Sequence, residues 1–99
     1  MASGGTLPFR TGAFTSDGAA RTIETPGFRP KRVTFVNITN FATGVWHDTM
    51  PDASVQTQEA GTGAFDTTNG VTPTDEGFTL GTNAALNTTA EEIHWTAEG

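Results

Sequence analysis

Gly27-Phe28-Arg29-Pro30-Lys31-Arg32-Val33-Thr34-Phe35-Val36-Asn37 reads as a turn, a proline lock and a β-strand. Pro30 has a fixed φ and biases Arg29 toward extended backbone. From Lys31 to Ile38 the residues are mostly β-branched or aromatic, which suits a pleated, half-buried surface. Successive side chains of a strand alternate, so Val33 and Phe35 share one face and Thr34, Val36 and Ile38 the other. Apolar residues on both faces mark a central strand, covered on one side by a second sheet and on the other by a partner or loop. The segment also holds three of the five cations, and no Lys or Arg follows Arg32.

Outward from this strand the chain keeps the same character. Twenty of its 99 residues are Thr and twelve are Gly. Thr is stiff at χ1 and favours strands, while Gly, Pro, Asn and Asp supply turns. Phe9–Thr15 and Ala20–Glu24 read as strands flanking the turn Ser16-Asp17-Gly18, and their proximity predicts a hairpin. Thr25-Pro26-Gly27 is a second turn, and Asn40–Thr43 a third. Gly44–Asp48 is a strand that antiparallel pairing places beside Arg32–Ile38. Thr49–Asn69 is the least regular region, a long loop with weak strand character at Val55–Gln58 and Ala64–Thr67. Gly70–Thr74, Gly77–Gly81 and Glu91–Ala97 complete the strands. Ala84–Glu92 is a loop with room for one helical turn. Seven or eight short strands imply an all-β fold, a single antiparallel β-sandwich or small barrel. The expected core is Val33, Phe35, Trp46, Phe78, Leu80, Ile93 and Trp95. Residues 1–8 are small and polar and read as an extended N-terminal arm before a domain spanning 9–99.

Composition narrows the function. A chain of 99 residues with 34% hydrophobic content is one domain with a thin core, the kind that leans on partners for part of its stability. There is no cysteine, hence no disulfide and no thiolate chemistry. No apolar run approaches the roughly 18 residues of a membrane span, and the N-terminus has no basic-then-apolar leader pattern. The net charge is −6, which argues against sequence-independent binding of nucleic acid. Residues 1–50 carry five cations and three anions, whereas residues 51–99 carry eight anions and no cation. That asymmetry is either solvated surface or electrostatic complementarity with a neighbouring subunit.

Few residues offer chemistry. His47 and Asp48 are adjacent, so in a strand they face opposite sides. His94, between Ile93 and Trp95, falls on an outer face. Both read as surface histidines. There is no nucleophile elbow, no His-Glu-x-x-His, no phosphate loop and no EF-hand spacing. No catalytic residue, metal site or cofactor is assigned. Asn37-Ile38-Thr39 and Asn87-Thr88-Thr89 match the glycosylation pattern. Trp46 and Trp95 read as core or interface residues, or, if exposed, as platforms for sugars. Phe41, in a turn after Asn40, is a binding contact or a plug into a neighbour.

The order of features from Gly12 onward resembles that of small bacteriophage virion proteins. The residues that carry the resemblance are Gly27-Phe28-Arg29-Pro30-Lys31-Arg32-Val33 with Asn37, then Trp46-His47-Asp48-Thr49-Met50, Gly77-Phe78-Thr79-Leu80-Gly81 and Ile93-His94-Trp95-Thr96-Ala97. Such proteins are similar to head decoration, or cement, proteins, which clip onto a capsid shell as oligomers. The resemblance implies a non-enzymatic protein on the virion exterior, made in the host cytoplasm, whose partners are the major capsid protein and itself, as trimer or dimer. The expected partner interface is Arg10, Arg29, Lys31, Arg32, Phe41 and Trp46, with the arm extending over a neighbour. The closing strand also resembles the H-type lectin fold of phage tail fibres, which implies a carbohydrate-binding tail module instead. Glu98 stands where that family tends to be apolar, and the middle of the chain lacks a sugar-binding cluster.

Overall fold

A computed structural model of the chain describes residues 8–99. It contains eight strands, β1 (Phe9–Thr15), β2 (Arg21–Ile23), β3 (Arg32–Asn37), β4 (Ala42–His47), β5 (Ser54–Glu59), β6 (Thr62–Pro73), β7 (Phe78–Leu80) and β8 (Glu92–Glu98). All pair antiparallel in one sheet of order β1-β8-β3-β4-β5-β6-β7-β2. The fold is therefore all-β, a single curled sheet of half-barrel form. The expected arm falls almost wholly on residues 1–7, outside the described residues; Pro8 is tied down, its carbonyl accepting from the Gly99 N–H at 3.0 Å.

Chain connectivity forces the curl. β1 and β2 are the two ends of the sheet, yet only Ser16–Ala20 joins them. Six residue steps reach at most about 21 Å. The end strands of a flat eight-stranded sheet would lie about 34 Å apart at the usual strand spacing. The sheet must bend until its edges approach, and Arg21 of β2 does reach the Thr15 carbonyl of β1, at 3.2 Å.

The expected β1–β2 hairpin does not form. β1 instead pairs with β8 over seven residues, Phe9↔Glu98 to Thr15↔Glu92, whereas β2 offers only three residues and gives them to β7. Gly12 permits this pairing, because a Cβ there would stand 2.5 Å from the Trp95 ring. Ser16 then anchors the strand end to the segment before β8. Its N–H donates to Glu91 O at 2.8 Å, its carbonyl accepts from Ala90 N at 2.7 Å, and its hydroxyl bonds Thr88 O.

The region expected as a long loop holds the longest strand. β5 and β6 pair from Glu59↔Thr62 to Val55↔Asp66 and again at Ser54↔Val71, with a bulge between. The two-residue turn Ala60-Gly61 has φ of 51° and 80°, the positive pair that suits the right-handed twist of a hairpin. At the bulge, Gly70 lies so close to β5 that an added Cβ would meet the Ser54 backbone.

Inward-facing residues of the curled sheet make the core. Val33, Phe35, Trp46, Phe78, Leu80, Ile93 and Trp95 are all buried, joined by Val55, Val71, Ala42, Ala97 and Leu86. Phe35, Phe78 and Trp95 form an edge-to-face series, with centroids 5.7 and 5.4 Å apart. The loop before β8 makes one helical turn, with Asn87 N donating to Asn83 O at 2.8 Å. That turn drives Leu86 against Gly44, into the space a side chain on β4 would fill.

Candidate functional site: an uncharged sheet face and a strained hairpin tip

The register aligns the outer residues of neighbouring strands. Thr11 and Ala13 of β1 lie beside Thr96 and His94 of β8; these lie beside Thr34 and Val36 of β3, and those beside Val45 and Thr43 of β4. Gln56 and Gln58 of β5 and Phe65 of β6 continue the rows. The middle of this face holds no Asp, Glu, Lys or Arg. Charges stand at its ends: Arg32 and Glu98 at one, Glu92 at the other, where its carboxylate meets His94 Nε2 at 2.6 Å. Val36 and Phe65 are each about half exposed, at 47% and 54%. A shallow depression lies among Thr11, Ala13, Thr34, Val36, His94 and Thr96. One face of β3 is thus core, and among the described residues nothing packs over the other. An uncharged patch with a charged rim is the usual form of a binding surface.

Phe41 stands at the tip of the β3–β4 hairpin. It is 84% exposed, and its φ is 64°. The left-handed region is disfavoured for a bulky residue, and such strain persists only where surrounding bonds over-determine it. Two asparagines supply those bonds. Asn37, fully buried, accepts from Thr39 N at 3.0 Å and Asn40 N at 3.2 Å, and donates to Ala85 O at 2.9 Å and Glu91 Oε1 at 2.8 Å. Asn40 accepts from Ala42 N at 3.0 Å and donates to Glu59 Oε2 at 2.9 Å. The sequence signal for this lock was Asn37-x-x-Asn40 across a turn, since Asn side chains satisfy backbone groups two or three residues on. Taken locally, Asn37 carries only the marks of a strand end and of the glycosylation pattern. Burial removes both glycosylation candidates, Asn37 and Asn87, from solvent.

The interface residues expected from sequence do not come together. Trp46 is 1% exposed and donates its indole N–H to Pro51 O at 3.3 Å; it is a core residue and offers neither a partner contact nor a sugar platform. Arg10, Arg29, Lys31 and Arg32 cluster at the end of the sheet opposite Phe41, about 17 Å away along β3. Arg29 approaches Asp75 at 3.6 Å and Arg32 approaches Glu98 at 3.7 Å. Two of the four cations thus face acids of the same chain, and the Lys31 backbone is held by Glu98 O and Asp48 N. The charge imbalance between the two halves of the sequence is partly cancelled by folding. Among the described residues, Arg10 and Lys31 make no ion pair.

Comparison with family models, with curated proteins and with solved structures finds no match to this chain. Among the described residues no three of His, Cys, Asp and Glu converge as a metal site would need. The site is a surface.

Proposed function

We propose that this chain is a structural protein of a bacteriophage virion, a head decoration protein that binds the outside of the capsid shell and stabilises it. The observation that carries the reading is the uncharged outer face of β1, β8, β3 and β4, which no other described residue covers. In plan that face measures roughly 19 by 17 Å. It is smaller than the roughly 800 Å² per partner of a stable interface, so a single contact is weak. A repetitive shell compensates, because it offers many equivalent contacts and oligomers bind it multivalently. The major capsid protein is the proposed partner, and binding that favours the assembled shell over its parts stabilises it by mass action. The motifs from Gly27 to Ala97 support the reading. The rival, a carbohydrate-binding tail module, has lost its Trp46 platform to the core.

Two measurements test this. The protein should be found on heads, not tails, of purified particles. Lysine at Thr34 and Val36 places charge in the middle of the face while leaving the core untouched. Shell occupancy by this double variant should fall at least about tenfold, equivalent to 1.4 kcal/mol. Unchanged occupancy removes the face from the contact.

A further inference from the structure

The molecule carries a knob and a hole that cannot meet within one chain. The knob is Phe41, held rigid by Asn37 and Asn40, with the half-exposed Ile38 beside it. Its collar is acidic, formed by Glu59 and Glu91 on the asparagines, while the Glu92 carboxylate is turned to His94. The hole is the seam of the half-barrel. Between the free edges of β1 and β2 lies a cleft of about 350 Å³, lined by Gly12, Ala13, Phe14, Arg21, Ile23 and Trp95. Arg21 lies over the Phe14 ring at 4.5 Å. Arg21 is the one cation in the cleft lining and Glu24 the one acid; Arg21 also faces Asp17 at 3.9 Å, and Arg10 lies beyond the cleft on the same side of β1 as Gly12 and Phe14.

We infer that copies of this chain associate through a heterologous contact, in which the Phe41 hairpin of one copy enters the β1–β2 cleft of the next. Shape and chemistry both fit. A preformed aromatic anchor entering an aromatic-lined pocket is the usual core of an interface hot spot. An acidic collar against Arg21, with Arg10 beyond it, sets orientation. The contact also gives the exposed, strained Phe41 a place where its ring leaves water. Within one chain the contact is impossible, since β8 separates β3 from β1 and the hairpin lies off the seam. Knob and hole on different surfaces make a head-to-tail contact, which closes into a ring when the rotation permits. This deepens the oligomer in the proposed function. It is tested on free protein without shells, so its failure and the failure of shell binding are separate results.

The test is sedimentation velocity of the full chain and two variants over a range of concentration. Phe41→Ala removes the knob and Thr25→Trp fills the rim of the hole; Glu24→Trp, in the same lining, replaces the latter if its thermal unfolding shows that it does not fold. The wild-type chain should self-associate, and each variant alone should be monomeric. An equal mixture should form a dimer that grows no further, because one intact knob meets one intact hole. A wild-type chain that stays monomeric to about 1 mM, where even a binding energy of about −4 kcal/mol would show, overturns the inference. So does Phe41→Ala associating like wild type, or a mixture that yields only monomers.

Discussion

Phe41 sets local stability against use. A left-handed φ costs an L-residue about 1–2 kcal/mol, and the ring gains nothing in the monomer because it is 84% exposed. Phe41→Gly should therefore raise stability by about 1 kcal/mol, read from the denaturant midpoint, while self-association falls. A loss of stability would mean that the ring has intramolecular support. Asn37 is the converse case, a buried side chain on which four hydrogen bonds converge. Asn37→Ala leaves several of those groups unpaired and should cost about 2–3 kcal/mol, measured by thermal or urea unfolding. Gly44 illustrates a constraint that is invisible in sequence. A Cβ there would stand 2.5 Å from Leu86 Cδ1, so Gly44→Ala should destabilise by about 1–3 kcal/mol through overpacking.

At the scale of elements, strand partners were chosen by length and by turn chemistry. The two-residue turn Ala60-Gly61 needs positive φ at both positions, and Ala is poorly suited to the first. Ala60→Gly should gain about 1 kcal/mol by relieving that strain, with the gain visible as a higher unfolding midpoint at unchanged m-value. The strand limits of β1, β3 and β8 were legible because alternation and β-branched runs are local signals; β4 begins two residues before the expected Gly44, inside the expected turn Asn40–Thr43. β5 and β6 were not, because Thr, Gln, Gly and Ala alternate weakly and Ala-Gly is not a recognised hairpin pair. The β1–β2 hairpin was expected from proximity in the chain, yet seven residue pairs with β8 outweigh three with β2. The segment 81–91 gave no sign that Leu86 would fill the barrel interior, because its destination is a space defined by the other strands.

For the molecule as a whole, the seam is the soft side. β2 and β7 contribute three residues each and β2 is an edge, whereas β3 is flanked by full-length partners on both sides. Amide hydrogen exchange should be slowest in β3 and β8 and fastest in β2, since protection follows local contact density. Arg21 bridges the seam by its bond to Thr15 O and its contact with Phe14. Arg21→Ala should speed exchange in β2 and β7 and leave β3 and β4 unchanged; equal acceleration everywhere would show that the seam opens only with global unfolding.

The sequence by itself determined the all-β class, a central strand within Lys31–Ile38 and seven of the buried residues, because alternation and β-branching act over a few residues. It also singled out Phe41 as an aromatic in a turn. Tertiary structure alone decided that the sheet curls, because a five-residue link ties its two ends together. It likewise decided between the core and interface readings of Trp46, and that Arg29 and Arg32 find acids in their own chain. The outer face of β3 and the β1–β2 cleft exist only once eight strands are in register. Surfaces that join residues from distant parts of a chain arise from long-range pairing, and no local pattern records them.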